Sequence, residues 1–332
     1  MLKKVVLFTL GGTISAKGKD QLDLKDYTSG LVEGTELLQQ IPNINELANI
    51  HTVSIDHVSS TQINEHHWVM LKEQIEYYLK EENFDGAVIT HGTNTIEETA
   101  YFLHLTVNSN KPIVLVGAQR PVSAISTDVH LNLLNAIQVA SSNHAKGYGV
   151  IVLLNNELHS ARDVTKGQTY RLDAFHSGDF GALGIIDGDH TVQFYRKPVR
   201  CHTISSDFST LPLQANQFPN VEIVYSYAGA KEHLINYITN SGKYDGIVVA
   251  GTGAGRFSKV EETALQKARA KGLHVVRSSR VGSGRVVDID PYDLLKGISS
   301  DNLLPQKARI LLMLALLKYN DQKAIQQVFL TH

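Results

Sequence analysis

Short, almost continuously apolar runs alternate along this chain with amphipathic stretches of helical length. The apolar runs are Val5–Thr9, Ala87–Thr90, Ile113–Gly117, Val150–Leu154, Ile223–Tyr227, Ile247–Ala250 and His274–Arg277. The amphipathic stretches include Glu97–Val107, Leu131–Ala140, Lys231–Thr239, Glu261–Lys271 and Lys307–Lys318. Apolar strands that alternate with helices are typical of a parallel sheet covered on both faces. The sequence therefore predicts an α/β fold with a mostly parallel sheet.

The alternation is interrupted between residues 195 and 219, a stretch with three prolines and many Ser, Thr and Asn residues. Such a composition is typical of a linker. We therefore expect a large N-terminal catalytic α/β domain over residues 1–194, a linker over 195–219, and a smaller C-terminal α/β domain over 220–332. The length of 332 residues agrees with two domains.

Composition excludes several classes of protein. The 31 Lys and Arg residues nearly balance the 33 Asp and Glu residues, and this net charge of −2 argues against nucleic acid or an anionic membrane as a partner. The single cysteine, Cys201, allows neither an intramolecular disulfide nor a cysteine metal cluster. The apolar run Ile310–Leu317 is too short to cross a membrane.

The first residues share one feature with export signals, because Lys3 and Lys4 precede the apolar Val5–Phe8. The apolar stretch ends at Gly11, which is too early for a signal core, and no small-residue cleavage site follows. We therefore expect a buried first strand and a cytoplasmic protein.

The first segment that could carry chemistry is Leu10–Ser15, directly after the first strand. In open α/β sheets, ligands bind beyond the carboxyl ends of the strands, and glycines there allow the backbone to approach a ligand closely. The spacing matches neither a dinucleotide-binding glycine pattern nor a P-loop. Two interpretations stay open from the residues alone: a tight turn with an incidental Thr13, or a hydroxyl nucleophile on a flexible loop.

The second segment is Thr90–Thr95, which follows a strand and begins a helix. Thr95 and Glu98 have the spacing of a capping box. Thr93 and Asn94 come just before, where a helix N-terminus can hold a carboxylate or an oxyanion. For His91 we expect a packed or hydrogen-bonded role rather than a catalytic one.

The third segment is Ala161–Lys166, beyond the strand Val150–Leu154. Burial at the edge of a sheet lowers the pKa of a lysine and can make it a base, so Lys166 is a candidate base.

His66 and His67, which are adjacent in the sequence, lack metal-ligand spacing, because neighbouring helical residues point to different faces. No metal site is therefore predicted.

Several ordered motifs together resemble the bacterial L-asparaginase family, which includes the asparaginase–glutaminases. These motifs are Gly11-Gly12-Thr13-Ile14, Asp26-Tyr27-Thr28, Ser60-Thr61, Thr90-His91-Gly92-Thr93, Glu97-Glu98-Thr99-Ala100, Gly117-Ala118-Gln119-Arg120-Pro121, Arg162-Asp163-Val164-Thr165-Lys166, Val275-Val276-Arg277-Ser278-Ser279-Arg280 and Pro305-Gln306-Lys307-Ala308-Arg309. The resemblance implies a large N-terminal and a small C-terminal α/β domain. It also implies hydrolysis of the side-chain amide of L-asparagine to L-aspartate and ammonia, without a metal or organic cofactor.

The resemblance assigns roles to individual residues. The predicted catalytic residues are the nucleophile Thr13 on a mobile flap, its partner Tyr27, and the second threonine and lysine, Thr93 and Lys166. The predicted substrate-binding residues are Gly12, Ser60, Thr61, Asn94 and Ala118, with the backbone carbonyl of Ala118 facing the side-chain amide. Thr13 would form an acyl ester that water near Thr93 and Lys166 hydrolyses, since a hydroxyl is a weak nucleophile until a neighbour takes its proton.

This chain departs from the family at two places. Family members usually have Asp where Asn94 stands, and that carboxylate pairs with the substrate's α-ammonium. Asn keeps the shape and loses the charge, so we expect weak affinity for L-asparagine. From the neighbouring subunit the family contributes Asn and Glu, for which Arg256 and either Asp288 or Asp290 are the nearest matches.

Alternatives remain open at this point. The chain could be a binding or regulatory module that kept the fold and lost turnover, or an enzyme that prefers L-glutamine. A tRNA-amidating subunit is disfavoured because strand one begins near residue 3 and no basic patch is evident. The resemblance further implies a homotetramer, built as a dimer of dimers with active sites at subunit interfaces.

Overall fold

Two sheets, one mostly parallel and one parallel, contain the apolar runs, and each belongs to one of two units of the chain. The computed structural model describes residues 2–289 and 295–332, and the units meet in sequence at Pro212 and Leu213. The predicted linker 195–219 contains this boundary. Its first part packs on the first unit: the Tyr195 amide donates to the Leu183 carbonyl at 2.8 Å, and Phe208 is fully buried.

The first unit is built on an eight-stranded sheet in the described residues. In spatial order its strands are β12, β11, β8, β7, β6, β5, β1 and β4. The strands β4, β1, β5, β6 and β7 are parallel, and β8, β11 and β12 continue the sheet antiparallel. Their bounds are β1 Lys3–Gly11, β4 Ala48–Val58, β5 Gly86–Thr90, β6 Ile113–Val116, β7 Val150–Leu154, β8 Glu157–Ser160, β11 Gly184–Ile186 and β12 Val192–Phe194. The parallel strands β5, β6 and β7 are buried throughout, as expected for a sheet covered on both faces.

Helices and two small hairpins complete this unit. The helices are α1 Gly34–Gln39, α2 Ile44–Leu47, α3 Glu65–Glu76, α4 Ile96–Thr106 and α5 Val129–Ser141. One hairpin pairs β2 (Lys17–Gly18) with β3 (Tyr27–Thr28), and the other pairs β9 (Thr165–Lys166) with β10 (Phe175–His176).

The order of the strands places a crevice at the carboxyl ends of β1 and β5. The chain passes from β1 to β4 on one side, and then returns to β5 on the other side of β1. At such a reversal the loops after the two central strands diverge, and ligands of open α/β sheets bind between them. The segments after β1 and β5 are those that contain Thr13 and Thr93.

The second unit has a four-stranded parallel sheet in the order β13, β14, β15, β16. Its strands are β13 Val221–Tyr225, β14 Gly246–Gly251, β15 His274–Ser279 and β16 Ile298–Ser299. Its helices are α6 His233–Ser241, α7 Lys259–Ala270, α8 Pro305–Lys318 and α9 Gln322–Thr331. The predicted fold, a mostly parallel sheet plus a smaller C-terminal α/β unit, is therefore confirmed. None of the described helices combines the length and apolar character that a bilayer span requires.

Candidate active site

Thr13 lies on a sharp turn immediately after β1. Gly11 and Gly12 adopt φ values of +90° and +84°, which residues with a side chain rarely adopt. A short 3₁₀ turn over Thr13–Ser15 follows. Thr13 is 8% exposed, and its Oγ1 donates a hydrogen bond to the Tyr27 hydroxyl at 3.2 Å. The predicted nucleophile and its predicted partner are therefore in contact.

Tyr27 reaches Thr13 from the predicted flap. The β2–β3 hairpin carries Tyr27, and two hydrogen bonds hold this segment against the chain near residue 122. The Gly18 amide donates to Ser123 Oγ at 2.9 Å, and the Val122 amide donates to the Ala16 carbonyl at 3.0 Å. Tyr27 depends on these contacts for its position, because its own strand is only two residues long.

The second predicted group also assembles. Lys166, on the β9–β10 hairpin, donates from Nζ to Thr93 Oγ1 at 2.8 Å and to Asn94 Oδ1 at 3.4 Å. Thr93 is 5% exposed, whereas Asn94 is exposed. Burial lowers the pKa of Lys166 below its ordinary value. Since Asn94 is neutral, it does not oppose this shift as a carboxylate would.

A glycine contact joins the two loops. A Cβ placed on Gly12 would lie 2.3 Å from Gly92 Cα, and one placed on Gly92 would lie 2.7 Å from Ser60 Oγ. These separations are too short for any side chain, so the backbones after β1 and β5 touch directly. The residues that follow the two glycines are Thr13 and Thr93, and the contact therefore sets their relative position.

Ser60 and Thr61 follow β4 but differ in their surroundings. Ser60 is 3% exposed, and its carbonyl accepts a hydrogen bond from Thr95 Oγ1 at 2.7 Å. Thr61 is exposed and pairs with Ser59 Oγ at 3.0 Å. The capping-box prediction for Thr95 is wrong, because its side chain makes no cap hydrogen bond to the first turn of α4. Thr95 instead ties the Ser60 loop to the start of that helix.

A carboxylate that sequence reasoning missed organises the loop of Ala118. Asp128 accepts hydrogen bonds from the backbone amides of Gln119 at 2.9 Å and Arg120 at 3.0 Å. Asn132 Nδ2 bonds the same carboxylate and the Gly117 carbonyl, both at 3.0 Å. In the sequence, Asp128 stands out only as an Asp just before the amphipathic stretch of α5, and that position by itself indicates a helix cap.

One member of each pair, Tyr27 or Lys166, borders a cavity of about 640 Å³. Its lining includes the predicted residues Tyr27, Asn94 and Lys166. The remaining lining residues, which were not predicted as site residues, are Lys25, Glu97, Gln119, Gly167, Gln168, Thr169 and Tyr170. A cavity of this size with mostly polar walls suits a small polar ligand.

Two of the three candidates from the C-terminal unit, Arg256 and Asp288, lie on exposed loops of that unit. Arg256 is exposed, in a tight turn where its backbone exchanges hydrogen bonds with Thr252 at 2.7 and 2.8 Å. Asp288 has a side chain 70% exposed and lies 3.3 Å from Arg277. Asp290 lies outside the described residues. The roles predicted for these three residues stay predictions.

Two of the three histidines that the sequence singled out, His91 and His67, have side chains with structural contacts. His91 is fully buried, as expected. His67 takes part in the cap of α3 through Asn64 and pairs with Asp56 at 3.1 Å, whereas His66 is exposed. Within residues 2–289 and 295–332 no three His, Cys, Asp or Glu side chains cluster as a metal site would require.

Comparison with known proteins covers the whole chain. The family model described as asparaginase, N-terminal, matches residues 4–200, and that of the glutaminase/asparaginase C-terminal domain matches residues 220–329. A probable periplasmic L-asparaginase of Haemophilus influenzae is 41% identical, over 99% of this chain and 93% of the relative. A glutaminase-asparaginase of Acinetobacter glutaminasificans is 40% identical, over 98% of each. The crystal structure of a probable cytoplasmic L-asparaginase from Campylobacter jejuni matches with a TM-score of 0.95 and 41% identity, over 99% of this chain and all of that one.

Proposed function

The chain belongs to the asparaginase family of amidohydrolases, and we propose that it releases ammonia from L-asparagine through an acyl ester on Thr13. The observation that carries this proposal is that two residues lining one cavity each hold a buried threonine: Tyr27 pairs with Thr13 at 3.2 Å, and Lys166 pairs with Thr93 at 2.8 Å. A nucleophile with an adjacent proton acceptor, beside a second hydroxyl–amine pair, matches what two-step amide hydrolysis requires.

The first step forms the ester. Thr13 Oγ1 attacks the side-chain carbonyl carbon while its proton passes to the Tyr27 oxygen and the hydroxyl proton of Tyr27 passes to the amide nitrogen. The tetrahedral intermediate collapses, the C–N bond breaks, and the nitrogen leaves as ammonia. Because Thr13 is almost fully buried, its hydroxyl bonds to Tyr27 rather than to bulk water, which favours this transfer.

The second step consumes water. A water molecule close to Thr93 and Lys166 attacks the ester carbonyl, and Lys166 takes its proton. The Thr13–acyl bond then breaks, and Thr13 Oγ1 takes the proton of the carboxylic acid that forms. This gives L-aspartate and free Thr13, and Lys166 releases its proton to solvent. Lys166 acts as a base only in its neutral form. Burial lowers its pKa, so this form is more accessible here than for an ordinary lysine.

Asn94 weakens the enzyme in this proposal. Its amide oxygen lies 3.4 Å from Lys166 Nζ, where a carboxylate would also face the substrate's α-ammonium. Loss of that charge reduces affinity, since a buried ammonium is stabilised mainly by its counter-charge. The same substitution favours the binding-module alternative, which predicts that L-aspartate binds without any turnover of the amide.

Ammonia release tests the proposal directly. We expect the protein to release ammonia from L-asparagine, L-glutamine or both, and Thr13→Ala to abolish release while remaining folded. Thr191→Ala removes an exposed hydroxyl elsewhere in the first unit and should match the unmodified protein. Acid quenching during turnover should leave an acyl group on the peptide that contains Thr13. Titration with L-aspartate separates the alternative: binding with no ammonia from either amide would support the module.

Assembly and location are part of the same proposal. We expect a homotetramer in which exposed Arg256 and Asp288, or Asp290, approach the active site of a neighbouring copy. Light scattering coupled to gel filtration measures the mass, and a monomer with full activity would exclude shared sites. We place the protein in the cytoplasm, by analogy with the similar probable cytoplasmic L-asparaginase from Campylobacter jejuni, and cell fractionation tests that placement.

A further inference from the structure

A buried chain of hydrogen bonds runs from helix α3 to the backbone beside Thr93. Trp68 Nε1 donates to Thr99 Oγ1 at 3.0 Å, Thr99 Oγ1 lies 2.9 Å from His91 Nε2, and His91 Nδ1 lies 2.7 Å from the Gly92 carbonyl oxygen. Thr99 and His91 are fully buried, and Trp68 is 4% exposed. The buried chain (Trp68, Thr99, His91) thus joins two helices to the loop after β5.

The direction of every bond in the buried chain follows from its two ends. An indole N–H only donates, and a carbonyl oxygen only accepts. His91 therefore carries its proton on Nδ1 and presents Nε2 as an acceptor. The single hydroxyl proton of Thr99 satisfies Nε2, and its oxygen accepts from Trp68. This order requires neutral His91, and burial lowers the pKa of His91 to about 4.

The end of the buried chain is the peptide that leads into Thr93. Because a peptide bond is planar, fixing the Gly92 carbonyl also fixes the orientation of the Thr93 amide. Gly92 touches Gly12 and Ser60, and Thr93 Oγ1 accepts from Lys166 Nζ. A rotation of this one peptide would therefore change the distance between Thr93 and the groups that act with it.

We infer that Thr99 is a positioning residue for catalysis, which acts through His91 and the Gly92 carbonyl to hold Thr93 against Lys166. This inference rests on the proposed function and adds residues outside the cavity to its machinery. Thr99 has no contact with substrate in this role. Its hydroxyl is the element that both accepts from Trp68 and donates to His91, so removing that hydroxyl interrupts the buried chain at its centre.

The decisive variants are Thr99→Val, which keeps the shape without the hydroxyl, and Thr99→Ser, which keeps the hydroxyl. We expect Thr99→Val to lower kcat about tenfold or more, since small misplacements of catalytic groups cost that much, with KM changed less than about threefold. Thr99→Ser should recover most of kcat. Because Thr93 and Lys166 serve the second step, the Thr99→Val protein should also accumulate more acylated Thr13 in acid-quenched samples.

Thr106→Val is the matched control. Thr106 is also fully buried on α4, but its hydroxyl donates only to the Phe102 carbonyl at 2.8 Å within the helix. We expect wild-type kcat for each folded molecule of this variant. Circular dichroism and thermal unfolding establish the folded fraction, which separates loss of catalysis from loss of structure.

The outcomes are distinct. Any of three results would overturn the positioning role. The first is an unchanged kcat in folded Thr99→Val. The second is the same loss of kcat in Thr99→Ser as in Thr99→Val, and the third is the same loss of kcat in Thr106→Val. If Thr99→Val does not fold, Thr99→Ala removes the same hydroxyl and leaves the Trp68 ring stacked on Phe102. Full kcat in folded Thr99→Ala would also overturn the inference. If the unmodified protein releases ammonia from neither amide, the proposed function fails and this inference fails with it.

Discussion

The substitution Asn94→Asp is expected to strengthen substrate recognition and to move the pH dependence of kcat at the same time. In the structure Asn94 Oδ1 lies 3.4 Å from Lys166 Nζ. Unit charges at this distance attract by about 1 kcal/mol in water and by about 5 kcal/mol at an effective dielectric constant of about 20. Because Asn94 is exposed and Lys166 is half-buried, solvent screening favours the lower part of that range, about 1–2 kcal/mol.

The two consequences for the enzyme have opposite signs. A carboxylate at position 94 gives the substrate's α-ammonium a counter-charge, for which about 2 kcal/mol, or about thirtyfold in KM, is the lower end of typical values. The same carboxylate stabilises protonated Lys166 and so raises its pKa relative to the unmodified protein. Since the neutral form is the base, kcat should rise with pH at a higher pH in Asn94→Asp than in the unmodified chain.

Steady-state ammonia release from L-asparagine across pH measures both effects. Asn64→Asp is the control for added charge, because Asn64 is the N-cap of α3, lies outside the cavity, and an Asp caps equally well. If KM stays within about twofold and the rise of kcat with pH does not move, the electrostatic role of position 94 is refuted.

Three further predictions concern neighbouring groups. Thr95→Val should raise KM about fivefold, because the Ser60 carbonyl loses its hydrogen bond from Thr95 and one such bond contributes about 1 kcal/mol. Thr95→Ser keeps the hydroxyl and should leave KM unchanged. Equal KM values in the two variants would contradict this prediction. Gly92→Ala should abolish measurable ammonia release, because the added Cβ would lie 2.7 Å from Ser60 Oγ. Ammonia release by this variant would show the reasoning to be wrong. Burial lowers the pKa of Lys166, so kcat should rise with pH below the range in which an ordinary lysine loses its proton. Lys166→Arg should remove this rise. A pH profile of kcat that is the same in both proteins would exclude Lys166 as the base.

Sequence patterns predicted the buried part of the fold best. The run at 150–154 became β7 with the same bounds, and the stretch Glu97–Val107 became α4, displaced by one residue. Both elements are largely buried, so apolar side chains predominate in them. Strand β4 was not predicted, because its residues alternate between half-buried and exposed and include polar side chains. The antiparallel strand β12 was missed for the same reason, since only three residues at a sheet edge carry its signal.

The sequence predicts residues for the candidate site but not the contacts that hold those residues in place. Thr13, Tyr27 and Lys166 stand out because their types suit amide hydrolysis within motifs of the family. Asp128 and Thr95 do not, since Asp and Thr at the start of a helix are ordinarily caps and only three-dimensional contacts reveal what else they hold. The hydroxyl of Thr99 lies within a motif, but no pattern shows that it bonds to Trp68, which is 31 positions away.

The contact between Gly12 and Gly92 limits how the protein can be altered. Since neither position accepts a carbon atom beyond the backbone, a library aimed at new amide substrates gains nothing from varying them, and most members altered there should be inactive. Substitutions are better made at exposed positions that line the cavity, such as Asn94 and Tyr170. The two glycines also couple the conformations of the loops that contain them. A substitution that displaces one loop backbone must be accompanied by a compensating change in the other.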